Sequence, residues 1–309
     1  MSNRTSSLKR RKGRLKKAKL PISAKVMLLP SVITLFVIGI FPLLFAVWVS
    51  TRQYELSKPY EEKVFLGVQN YITVLSDPEF WTALKITFTF FIIALPIQLF
   101  LGTLIALFVY GLKLPWFAAI TRVVLVLPIA VTPTITGLLG RLLFNSDFGL
   151  INYGLSFFGI PPIQWLAEQK AAFVAIIILD TWQWTPFVAL VLLASLMVIP
   201  PHILEAGRLD GGTGWKIFRH MQLPYLLPGF TALLILRTAD ILKMYDTIYA
   251  FSKGGPGVAT ELITLYINRI GFGKVFNVGL GATQSILLLI ICIVLSRTYI
   301  RLFYRDVEA

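Results

Sequence analysis

The chain has 309 residues, of which 56% are hydrophobic and only 14% charged, and its mean hydropathy is +0.76. Soluble domains carry about 25% charged residues, so this composition points to a membrane protein. The net charge of +14 does not mark a nucleic-acid face: ten of the 29 Lys and Arg residues fall within 1–25, where there is no Asp or Glu, and the excess is a tail.

That tail, 1–25, has the charge of a signal-sequence n-region, but the apolar run behind it is about twice the usual length, so a retained anchor is expected. Crossing about 30 Å of hydrocarbon takes about 20 apolar residues. By that measure six spans are expected, the first at 26–49. The stretch 70–84 (NYITVLSDPEFWTAL) has a helix start, with Asp77 as N-cap, Pro78 at the first position and Glu79 in the first turn. Phe80, Trp81 and Leu84 share a face, which predicts a short helix on the membrane surface, the alternative being an ordinary connector. The second span, 86–110, is free of charge, and the third is expected over 123–144. Arg141 and Asn145 at its outer end either line an entrance or snorkel to the interface. The fourth span, 171–199, is interrupted by Asp180. The fifth, 224–248, carries Arg237, Asp240, Lys243 and Asp246, and the sixth, 275–296, contains the single Cys292. The charged third, fourth and fifth spans are the ones expected to line something polar. No internal repeat supports an inverted-repeat transporter.

Placing the N-terminus in the cytoplasm puts 18 Lys and Arg on cytoplasmic segments against eight outside, so both termini are expected inside. The segment between the fourth and fifth spans, 200–224, is then a cytoplasmic loop. Its GGTGWKIF lacks the GxxxxGK[ST] spacing with which a loop cradles phosphates, so no ATPase site is expected in this chain. His202 and His220 have no Cys or Glu at ligand spacing, and no metal site is expected. What the loop has is helix grammar. Pro200 and Pro201 end the preceding span, and Gly211 and Gly212 supply a C-terminal turn. The helix between them bears Glu205, Arg208 and Asp210. A second helical stretch leads into Leu223 and Pro224, the start of the fifth span.

Glu205-Ala206-Gly207, then Gly211 after three residues, then Met221-x-Leu223-Pro224 closely resemble the EAA loop of ABC-transporter permeases, whose pattern is E-A-A-x(3)-G-x(9)-I-x-L-P. Gly207 stands for the second alanine and Met221 for the isoleucine. Glycine inside a helix costs about 1 kcal/mol relative to alanine, which predicts a looser helix here. Three further stretches are similar to the MalF-like and UgpA-like sugar-transport branch: FLGVQNYITVLSDPEFWTALKITF, DTWQWTPFVALVLLASLMVIPPHILEAGRLDGG and YDTIYAFSKGGPGVATELITLYINRIGF. From about residue 26 onward the layout resembles that of this family.

The resemblance implies an all-α membrane protein of the type I importer permease fold: six transmembrane helices, cytoplasmic termini, and a coupling helix between the fourth and fifth. It implies a single permease domain, 26–309, in a bacterial or archaeal cytoplasmic membrane. Its partners would be a second permease subunit (by the family's habit a different polypeptide), two cytoplasmic ATPase subunits that use ATP and Mg, and an extracytoplasmic solute-binding protein. The cargo would be carbohydrate-like. Glu205, Ala206, Gly207, Arg208, Asp210, Gly211, Leu223 and Pro224 would form the ATPase-coupling segment. No cofactor and no catalytic residue are expected in this chain.

At about 1.5 Å per residue, Asp180 lies about 14 Å in from one surface and Arg237 about 20 Å from the other, both near the bilayer middle. A lone charge there costs several kcal/mol, so pairing or a wet cavity is close to required. Asp180, Gln183, Trp184, Arg237 and Asp240 are the candidate path residues, with Asp240, Lys243 and Asp246 rising outward at i+3 steps. For Asp180 and Arg237 two readings stand: contact with solute, or a salt bridge that only joins two helices. A secondary, ion-coupled transporter using Asp180 is the alternative function.

Overall fold

The computed structural model describes residues 22–58, 63–112, 114–273 and 276–303. The tail up to residue 21, Lys113, Lys274 and Arg305, all used in the charge count above, lie outside the described residues. The chain divides into two units, Met1–Ala46 and Val47–Ala309. The described part of the first is helical: α1 (Ile22–Leu35), a π-helical turn (Phe36–Ile40) and the start of α2 (Phe41–Ser50).

The second unit continues with α3 (Gln69–Leu75), α4 (Pro78–Gly111), α5 (Pro115–Ala130), α6 (Pro133–Leu143), α7 (Leu150–Ser156) and α8 (Gln169–Met197). Then come α9 (Pro201–Leu209), α10 (Gly214–Ile217), α11 (Leu223–Leu242), α12 (Asp246–Phe251), α13 (Ile263–Asn268) and α14 (Val278–Phe303). Among the described residues there is no β-strand, only two isolated backbone bridges, Arg52 with Phe65 and Glu55 with Asn277. Among the described residues five helices are long and apolar enough to cross a membrane: Met27–Ser50, Pro78–Gly111, Gln169–Met197, Gly214–Leu242 and Val278–Leu302. A sixth span results if α5 and α6 are taken together.

Three local expectations are corrected. The third span is two helices bent by 91°, because Thr132 precedes Pro133 and is pushed into the extended region (ψ 148°), as is Val131 before it (ψ 127°). Pro133 then opens α6, where its missing N–H costs nothing. The fifth span ends at Leu242: Lys243 caps α11 and Asp246 starts α12, so the i+3 ladder stops at the Asp240–Lys243 pair, 3.4 Å. The short surface helix at Asp77 is the first part of α4. The cap is as expected, with Asp77 accepting from the Glu79 backbone N–H at 2.9 Å, but the helix runs on for 34 residues, roughly 50 Å at helical rise. Nothing between Glu79 and Gly111 stops it, and Pro96 is absorbed inside.

α4 and α8 form the centre of the bundle. Lipid tails are as apolar as leucine, so helices here associate through close packing, and small residues set how closely they approach. Ala94 on α4 and Ala172 and Ala175 on α8 are fully buried. Phe90 and Leu95 pack with Ile176, Leu179, Ile241 and Phe251. Toward the other end Ala106 and Val109 meet Val188, Leu192 and Leu196, together with Leu204 of α9 and Leu226 and Leu233 of α11.

Candidate functional site

Three helices bring three polar side chains together inside this apolar packing: Gln98 from α4, Asp180 from α8 and Arg237 from α11, each no more than 2% exposed. Arg237 donates through Nη2 to Asp180 Oδ2 at 3.0 Å and through Nε to Gln98 Oε1 at 3.1 Å. Gln98 Nε2 donates to the same aspartate oxygen at 2.6 Å. The three bonds close a triangle in which the planar guanidinium meets an acid and an amide at once. A buried charge survives only when so paired and hydrogen-bonded.

One edge of the triangle faces a cavity. Trp184, one turn after Asp180, lies 4.5 Å from the guanidinium carbon, ring face toward it. Asp240 stands 3.9 Å from the other guanidinium nitrogen. Asp180, Trp184, Arg237, Asp240, Lys243 and Tyr245 line a cavity of about 290 Å³, which Pro133 at the α5–α6 bend also borders. The breaks at 131–132 and 243–245 therefore both open onto it.

Gln183 is placed elsewhere. It is buried and donates through Nε2 to the Val131 carbonyl at 2.8 Å, so it fastens the α5–α6 bend and does not line the cavity. Asn145 accepts from the backbone N–H groups of Asp147 and Phe148, which shapes the turn after α6, while Arg141 is exposed beside Ser252 and Lys253. Gln98 was not foreseen from sequence. The available signal was a lone amide in the charge-free run 86–110.

A second polar cluster ties the start of α4 to α13. The Tyr266 hydroxyl donates to Asp77 Oδ2, and Arg269 bonds Glu79 at 2.9 Å and Glu261 at 2.8 Å. Burial, then the Asp77 carboxylate, holds the Tyr266 phenol well above its ordinary pKa.

The loop between α8 and α11 is two-faced. In α9 Leu204 and Gly207 are buried, whereas Glu205, Ala206, Arg208 and Leu209 are exposed. The helix starts at Pro201 and ends as expected. Gly211 adopts φ +74°, where a β-carbon would strain, and the Gly212 N–H donates to the Gly207 carbonyl at 2.9 Å. Asp210 caps the helix. A β-carbon on Gly207 would collide with Sδ and Cε of Met221, so the methionine occupies the space of the missing methyl. Leu223 and Pro224 begin α11, but the helical path leading to them starts at Gly214 and passes through a π-helical turn, Phe218–Gln222.

This helical arrangement is the fold of ABC-transporter permeases. A chain of the bacterial alginate ABC transporter, solved in complex with an alginate pentasaccharide-bound periplasmic protein, matches it with a TM-score of 0.79, covering 93% of this chain and 96% of that one at 21% identity. No protein-family model matches the chain. In sequence it is 34% identical over 307 residues to the trehalose/maltose transport system permease protein MalF of Thermococcus litoralis, covering 99% of each. It is 27% identical over 280 residues to the trehalose transport system permease protein SugA of Mycobacterium tuberculosis, covering 91% of this chain and 88% of that one. The chain belongs to the ABC-transporter permease family, in the MalF-like branch, and is a multi-pass membrane protein.

Proposed function

We propose that the chain is one transmembrane subunit of an ATP-driven, binding-protein-dependent importer, forming half of the translocation pathway for a sugar or a related polyol or glycoside. The observation that carries this reading is α9: its inner face is anchored by Leu204 and Gly207, and its outer face offers Glu205, Arg208 and the 88%-exposed Leu209 to a partner. In this reading α9 lies in the cytoplasm, with both termini, and docks on one of two ATPase subunits that bind ATP and Mg. A second permease completes the pathway, and a solute-binding protein delivers cargo from outside. No bond is made or broken in this chain.

The cavity beside the Asp180–Arg237–Gln98 triangle is the solute site in this reading. At about 290 Å³ it lies at the lower edge of ordinary ligand pockets, about 300–1,000 Å³, a size suited to one sugar ring. Trp184 offers a ring face for stacking, and Asp240 offers carboxylate oxygens to hydroxyl groups. The carbohydrate class is supported by the trehalose/maltose and trehalose permeases to which the chain is related.

The test is uptake of radiolabelled trehalose into proteoliposomes holding this chain with its partner permease, ATPase subunits and binding protein. Uptake that requires ATP supports the proposal. Uptake driven by a sodium or proton gradient without ATP overturns it in favour of a secondary transporter.

A further inference from the structure

The two positions at which the loop departs from the EAA pattern, Gly207 and Met221, touch each other. Gly207 is buried on the inner face of α9, and the end of the Met221 side chain occupies the space where a β-carbon would stand. Around this contact, Leu204 from α9 packs in one cluster with Ile217, Phe218 and Met221. The Gly207 carbonyl is also held, accepting from the Gly212 N–H. α9 thus meets the next helix through a fitted notch.

Met221 sits in the π-helical turn Phe218–Gln222, where the Leu223 N–H reaches back to the Phe218 carbonyl. On either side the helix is continuous, Gly214–Leu242. That one helix carries Met221 at its base and, about 24 Å further along at helical rise, Arg237 in the buried triangle. A displacement of α9 therefore has a direct mechanical route, through packed atoms, to the residue bordering the cavity. Packed contacts transmit strain because interiors are close to crystal density.

We infer that Gly207 and Met221 form a notch-and-knob joint that passes movement of α9 to α11, making them positioning residues for the cavity and not part of the docking face. The inference rests on the reading of α9 as the ATPase-docking helix. It also explains the paired departure: a longer, unbranched side chain at 221 is matched by loss of the methyl at 207.

The experiment is hydrogen-exchange mass spectrometry on the complete complex, this chain with its partner permease and ATPase subunits, with and without ATP. The chains compared are unmodified, Gly207→Ala, Met221→Val and the double variant. Alanine is the better helix former, so Gly207→Ala does not weaken α9 itself. Met221→Val removes both atoms that the new methyl would strike. In the unmodified complex ATP changes exchange in both 201–212 and 223–242. In Gly207→Ala the change persists in 201–212 and is lost in 223–242. Met221→Val alone, with an empty notch, also loses it. The double variant regains it.

Retention of the 223–242 response in either single variant, or its absence from the double variant, overturns the joint. Loss of response in both segments of Gly207→Ala also overturns it, assigning the pair to docking. No ATP response in the unmodified complex overturns the functional reading itself, a result distinct from all of these.

Discussion

Arg237 and Asp180, 57 positions apart in sequence, meet at 3.0 Å with 1% and 3% of their side chains exposed. Removing one partner of such a pair strands the other and costs about 3–5 kcal/mol, whereas replacing both with apolar residues of similar size is often neutral or stabilising. Asp180→Ala should therefore lower the thermal unfolding temperature in detergent sharply, and Asp180→Leu with Arg237→Met should recover most of the loss. Uptake by the recovered double variant then separates the two roles. Transport at the unmodified rate would show the pair to be a helix clamp; loss of transport in a stable protein would place it on the pathway.

Gln98 serves both ions at once, donating to Asp180 and accepting from Arg237. Gln98→Leu leaves each short of one hydrogen bond at a buried site, where an unsatisfied polar group costs about 1–3 kcal/mol. The expected result is lower thermal stability by about that amount, with the larger part of the loss absent when Gln98→Leu is made in the Asp180→Leu, Arg237→Met background. Equal losses in both backgrounds would refute the three-way coupling.

Glu205→Lys reverses a charge on the exposed face of α9 without touching the inner face at Leu204 and Gly207. A partner surface fitted to a carboxylate there would meet an ammonium instead, and mismatched charge at an interface costs several kcal/mol. Uptake should be lost while the ATPase subunits still hydrolyse ATP. Normal uptake would count against α9 as the coupling element.

Tyr266→Phe removes the hydroxyl that donates to Asp77 and should cost about 1.5–3 kcal/mol, the range for a hydrogen bond to a charged group. The phenol's pKa is raised in the folded chain, first by burial and then by Asp77, so its contribution is fully present below the ordinary tyrosine value of about 10. It is lost only as pH rises through the folded value. The stability difference between the two proteins, measured by thermal unfolding, should be flat from pH 6 to 9; a gap that closes within that range would sink this account.

Asp77, Pro78 and Glu79 announce a helix start because capping depends on three or four consecutive residues. The same signal says nothing of where the helix ends, and the short surface helix expected there is the head of a 34-residue one. At 131–133 the order of difficulty is reversed. Thr132 before Pro133 is a local restriction, yet its size, a 91° bend, depends on α6 finding α12 and α8 to pack against. Gln183 and Trp184 are neighbours in sequence, and only packing sends one to the Val131 carbonyl and the other to the Arg237 guanidinium.

Short-range periodicity and turn chemistry were enough to mark the apolar runs of membrane length, the prolines and glycines bounding α9, and the spacing of the EAA-like loop. These depend on residues a few positions apart, and the chain carries them without reference to its fold. Which polar groups share a site emerged only from the packing of distant helices. Gln98 joined Asp180 and Arg237, Gln183 left them, and Gly207 proved to be the seat of Met221. Each outcome turns on a few ångströms between helices distant along the chain, a distance set by packing that no local pattern records.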